Sequence, residues 1–61
     1  MEVLKDFRKK NKLTQKEFAK ILGISYSFYS KIETDVFLPS RSFEEKLKKH
    51  FPEFDMNDLF L

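Results

Sequence analysis

The chain has 61 residues, with 12 Lys and Arg against 10 Asp and Glu, eight Phe, two Tyr, one Gly and no Cys. That length makes one domain, residues 1–61, near the lower limit for independent folding, and large aromatic side chains suit a core without a covalent staple. The missing cysteines exclude a disulfide framework and a zinc finger; with no apolar run near ~18 residues and no visible signal peptide, a cytoplasmic location is expected, with no membrane partner.

Val3 to about Asn11 reads as a first helix, with Val3, Leu4 and Phe7 inward and Lys5, Lys9 and Lys10 outward. Thr14 is a good N-cap, and Glu17 three residues later completes a capping box. Beyond it Phe18, Ile21 and Leu22 fall on one arc, while Gln15, Lys16 and Lys20 fall outside it. Ala19 lies beside the apolar arc, where a small side chain lets a second helix cross closely. Gly23 stands where a left-handed stop is expected, and Ser25 offers the next N-cap.

In the helix that follows, Phe28, Tyr29 and Ile32 occupy roughly 200° to 300° measured from Tyr26. Ser27, Ser30, Lys31 and Thr34 occupy about 40° to 140°, with Tyr26 at the edge. A merely solvated face favours Glu, Lys and Gln, which are better helix formers. Serines cost helix stability and leave room for close approach. This face reads as a contact surface.

Residues 14–33, TQKEFAKILGISYSFYSKIE, resemble the helix-turn-helix of the lambda-repressor and Cro family, also called the xenobiotic-response-element family. Gln15 opens the first helix of the motif, Ala19 follows four later, and Gly23 holds the turn. Phe18, Leu22, Ile24, Tyr29 and Ile32 stand at its apolar positions. Leu13-Thr14-Gln15 matches the family's L-T-Q, Ser30-Lys31-Ile32-Glu33 its S-x-I-E, and Pro39-Ser40 its P-S. The likeness runs from about Leu4 to Phe60. It implies an all-α, compact five-helix bundle in which helices two and three form the helix-turn-helix. It also implies that Arg8 pairs with Glu33, which is read here as a structural strut.

The loop from Asp35 to Leu38 departs from that pattern. The family commonly places Gly two residues after the Glu, then basic or polar residues; here stand Asp35 and the apolar triplet Val36-Phe37-Leu38. Asp tolerates the left-handed region, so the turn is expected to survive. The triplet is expected to tuck under the helices, with a dimer surface as the alternative. Ser40 or Ser42 caps the fourth helix, the latter with Glu45 as a second capping box. Phe43, Leu47 and Phe51 form its core stripe, and Pro52 ends it. Asp55 caps a last short helix with Met56, Leu59 and Phe60. The apolar tail Leu59 to Leu61 is expected to cover the core, or else to join two copies.

Residues 1–34 carry a net charge of +4 and residues 35–61 one of −2, which places the helix-turn-helix in the basic half. If the third helix enters a major groove, its early residues meet base edges. Tyr26, Ser27, Ser30 and Lys31 are the candidates: Lys31 for guanine O6 or N7, the serines for several edges, Tyr26 for a thymine methyl or a phosphate. Gln15 corresponds to the family's phosphate-contacting residue, and Lys16, Ser25 and Arg41 are further phosphate candidates. Useful affinity then calls for two copies on a palindromic double-stranded DNA operator, as a weak homodimer or one formed on the DNA.

The role that the resemblance implies is a transcriptional repressor of the phage or mobile-element type. The alternative is a protein-interaction module on the same fold, an antirepressor or antitoxin. His50 has no companion at ligand spacing, so no metal is expected. No catalytic residue, cofactor or small-molecule ligand is expected either.

Overall fold

Four α-helices, α1 (Glu2–Lys10), α2 (Gln15–Leu22), α3 (Tyr26–Glu33) and α4 (Arg41–His50), precede a 3-10 helix at Met56–Phe60. The computed structural model describes residues 1–60, and the side chains of residues 1–59. Among the described residues there is no strand, and no helix is long and apolar enough to cross a membrane.

The expected five-helix bundle is therefore corrected to four α-helices and a 3-10 helix. The last segment spans five residues, too few to propagate α-helical hydrogen bonding. Its first turn is closed locally instead. The Asp55 carboxylate accepts from the Asn57 amide at 3.0 Å, and the Asp55 carbonyl from the Asp58 amide at 3.0 Å.

Side chains close the starts of three helices. Thr14 Oγ1 accepts from the Glu17 amide at 3.1 Å while Glu17 Oε1 accepts from the Thr14 amide at 2.8 Å, a complete capping box. Ser25 Oγ accepts from the Phe28 amide at 3.1 Å. On α4 the cap is Ser40, whose Oγ accepts from the Phe43 amide at 3.1 Å. Ser42 already lies inside the first turn of α4, so the box with Glu45 does not form.

The ends of α1, α2 and α3 repeat one device. Lys12, Gly23 and Asp35 take φ of 58°, 75° and 66°, in the left-handed region. In each case the amide after that residue turns back to the helix: Leu13 to the Arg8 carbonyl, Ile24 to Ala19, and Val36 to Lys31. The left-handed residue itself donates to Lys9, Lys20 or Ile32 respectively. These paired bonds are Schellman closures, and two of the three are built without glycine.

All four helices and the 3-10 helix contribute to one core. Leu4, Phe18, Ala19, Leu22, Tyr29, Ile32, Phe43 and Leu47 are essentially inaccessible to solvent. Phe18 stacks on Phe51 at 4.9 Å, and the half-buried Phe7 meets Phe51 and Phe54 edge-on at 5.5 and 4.9 Å. Fully burying such a ring stabilises by ~2–3 kcal/mol, which a chain this short needs several times over. Leu59 is buried under α1, so the tail covers the core at that residue. The expectations for Leu61 and for the Phe60 side chain lie outside the described residues.

Two apolar expectations are corrected. Ile21 is exposed, because the packed stripe of α2 follows Phe18, Ala19 and Leu22 and leaves Ile21 at its border. Val36, Phe37 and Leu38 do not tuck under the helices; they stand 64%, 44% and 88% exposed. The closure at Asp35 sends the chain outward at this point. The core is already filled from α1, α2, α4 and the last segment.

Candidate nucleic-acid interface

α2 and α3 pack directly, Ala19 of α2 is buried, and Gly23 turns the chain from one helix to the other. One side of α3 is consumed by that packing: Tyr29, Ile32 and Glu33 are buried and Phe28 is half-buried. Tyr26, Ser27 and Lys31 are exposed on the other side, with Ser30 half-buried between them. These four lie at i, i+1, i+4 and i+5, hence on adjacent rows of one helix face. Gln15 and Lys16 open α2, Ser25 caps α3, and Arg41 opens α4.

Several of these side chains have partners within the protein. Lys16 Nζ sits over the Tyr26 ring at 5.6 Å, and Lys31 Nζ over the Phe37 ring at 5.3 Å. Both cations stay exposed and keep free N–H groups, so a ring beneath them orients the charge without neutralising it. Arg41 lies 3.6 Å from Glu45 one turn along, with both groups largely exposed. Its charge is partly offset there, but such pairs are weak. Thr34 folds back, its hydroxyl donating to the Ser30 carbonyl at 2.7 Å.

Behind this face, Glu33 is the hub of a buried polar cluster. Its carboxylate accepts from Arg8 Nε at 2.9 Å, Arg8 Nη2 at 3.0 Å and Gln15 Nε2 at 3.0 Å, and also from the Tyr29 hydroxyl. Arg8 Nη1 donates to the Leu13 carbonyl at 2.8 Å. Burial alone raises the carboxyl pKa. The bonds from Arg8, Tyr29 and Gln15 outweigh it and hold the group down at about 2. The guanidinium is pushed up, chiefly by its bond to Glu33, and the Tyr29 hydroxyl is pushed up by burial and then by the same carboxylate. Among the described residues no buried side-chain donor or acceptor is left unpaired. The cluster ties α1, α2 and α3 together and fixes the axial rotation of α3.

A family model described as helix-turn-helix matches residues 4–49. The chain belongs to this lambda-repressor and Cro-like helix-turn-helix family. Its class is that of DNA-binding regulators. No curated protein and no solved structure matches the chain.

Within the helix-turn-helix, the half-buried Gln15 stands at the first residue of α2, and its side-chain amide gives one of its two N–H donors to Glu33 at 3.0 Å. Tyr29 was expected as a core residue only; its hydroxyl reaches Glu33 as well. The one-turn spacing of Tyr29 and Glu33 was the available signal for that contact. The left-handed loop residue Asp35 keeps the turn where the family commonly has Gly, while the loop it introduces is apolar instead of basic.

Proposed function

We propose that the protein is a sequence-specific transcriptional regulator that lays α3 in the major groove of double-stranded DNA. Tyr26, Ser27, Ser30 and Lys31 meet base edges. Gln15 at the N-terminal turn of α2, Lys16, Ser25 and Arg41 meet phosphates. Two copies occupy a palindromic operator, and the regulator acts as a Cro-like repressor of the phage or mobile-element kind, in the cytoplasm.

The observation that carries this reading is the two-sidedness of α3. Its inner face is locked by Tyr29, Ile32 and Glu33, while its outer face presents small hydroxyls and one lysine that the core does not use. A helix held in rotation by a bidentate ion pair offers the same side chains to every ligand it meets. Such preorganisation is what base reading requires.

The test is selection of bound duplexes from a random DNA pool, repeated with the Ser30→Ala, Lys31→Ala double variant. A palindromic consensus, lost or altered in the variant, is the expected result. Absence of enrichment at low salt overturns it. One observation favours the second reading, a protein-interaction module: the exposed apolar loop Val36 to Leu38 carries no cation for phosphate. Binding to DNA weakens steeply with salt, whereas an apolar protein contact does not.

A further inference from the structure

We propose that Phe37 is a positioning residue for base reading: its ring is a platform that fixes the direction of the Lys31 ammonium. The inference deepens the DNA-binding reading given above and rests on it.

Lys31 meets the loop after α3 at both of its ends. Its carbonyl accepts from the Val36 amide at 2.8 Å and from the Phe37 amide at 3.0 Å. Its ammonium lies over the Phe37 ring, 5.3 Å from the centroid. The left-handed backbone at Asp35 is what folds the loop back onto this residue. The ring has a support of its own. It lies 6.0 Å from the ring of Phe28, which packs against the core. Core, Phe28, Phe37 and Lys31 thus form a chain of contacts that ends on the outer face of α3. Phe37 is the least exposed of the three apolar loop residues, its ring being engaged by Phe28 and Lys31.

The placement is selective. Of the ten lysines in the chain, two lie over aromatic rings among the described residues, Lys16 over Tyr26 and Lys31 over Phe37. Both belong to the helix-turn-helix, and Lys31 is the one carried by α3.

A lysine side chain is flexible and ends in a strongly hydrated point charge. Without a support it reaches phosphates and base edges alike, and it loses conformational freedom on either. A ring face attracts the ammonium without consuming its N–H donors. Held there, the group meets guanine O6 and N7 from one direction, and part of the ordering cost is met before DNA arrives. Phe37 therefore acts on which base is chosen more than on how tightly DNA is held. The same contact accounts for an aromatic residue in a loop, residues 35–38, that has no cation of its own. The loop contributes through Lys31.

The test pairs a measurement without DNA with one on DNA. In proton NMR of the free protein, the Lys31 methylene next to the ammonium is expected upfield of its counterparts in other exposed lysines, through the Phe37 ring current. Phe37→Leu, which keeps the loop apolar, returns it to the ordinary position, and Phe37→Tyr retains the shift. An ordinary Lys31 resonance in the wild type overturns the platform. On the selected duplex, the base read by Lys31 is the one at which Lys31→Ala loses discrimination. Phe37→Leu is expected to reduce discrimination at that base about two- to fivefold, the worth of an exposed cation–π contact. Discrimination at the other positions and the salt slope stay as in the wild type, and Phe37→Tyr restores the loss. In a Lys31→Ala background Phe37→Leu adds nothing. Unchanged discrimination in Phe37→Leu, or an equal loss at every position, overturns the proposal while DNA recognition stands. If the wild type itself selects no duplex, the DNA-binding reading falls and the role of Phe37 with it; that failure is told apart because it needs no substitution. Thermal melts establish that the compared variants are folded.

Discussion

Arg8 and Glu33, 25 positions apart, are joined by two hydrogen bonds, Nε to Oε2 at 2.9 Å and Nη2 to Oε1 at 3.0 Å. The carboxylate side is 4% exposed and the guanidinium side 11%. Removing one partner leaves a buried charge uncompensated, so Arg8→Ala is expected to cost ~3–5 kcal/mol. Arg8→Lys recovers only a part, since a point charge cannot make the paired contact. Circular dichroism melts of both variants check this; a wild-type Tm for Arg8→Ala removes the strut.

The acid limb of stability should belong to Glu33. Its folded pKa, about 2, lies below the ordinary 4.5, so its contribution is complete above pH ~4.5 and is lost as pH falls toward ~2. The size is on the order of 3 kcal/mol. Glu33→Gln is expected to be less stable at neutral pH but flatter across that window. Urea titrations at stepped pH measure the slopes, and equal slopes for the two proteins contradict the assignment.

Ser40 and Ser42 give opposite expectations within one turn. Ser40→Ala removes the bond to the Phe43 amide and should cost ~1 kcal/mol. Ser42→Ala lies within the helix and should be neutral or slightly stabilising. Comparing their denaturation midpoints decides between the two caps.

Lys12 and Asp35 hold left-handed backbone that costs a side chain ~1 kcal/mol or more. Lys12→Gly is expected to raise Tm by roughly 4–8 °C. Asp35→Gly gains less, because it gives up the ion pair of 3.0 Å between the Asp35 carboxylate and the Met1 ammonium. Melts that fall instead of rising for Lys12→Gly would refute the strain.

On selected DNA, Lys31→Ala should cost ~1–3 kcal/mol and relax preference at one base position. Lys16→Ala should weaken all sequences alike and reduce the logarithmic salt slope by about one. Fluorescence anisotropy across a salt series separates the two effects.

The parts legible in the sequence were those governed by neighbours in the chain. Thr14 with Glu17, Gly23 and Ser25 each act within four residues, so their spacing stated the helix limits. The buried and exposed sides of α3 followed from the 3.6-residue period. Arg8 and Glu33 came together only through family resemblance, because no local rule links residues on different helices. The loop was misread for a related reason. Whether Val36, Phe37 and Leu38 tuck inward depends on the space left by Phe51, Phe54 and Leu59, which periodicity does not report. Ile21 failed likewise, since the width of a packed stripe is set by the neighbouring helix. The bond from the Gln15 amide to Glu33, 18 positions away, was beyond local rules for the same reason.

The two tyrosines of α3 differ sharply in burial, Tyr29 fully buried against Glu33 and Tyr26 nearly half exposed beneath Lys16. With no tryptophan to mask them, they are separate intrinsic chromophores, three residues apart. Unfolding must carry Tyr29 from carboxylate and core to water. Anything that settles on the outer face must change the surroundings of Tyr26 and spare Tyr29. Ultraviolet absorption and emission can thus follow folding and ligand engagement of α3 in one unlabelled sample.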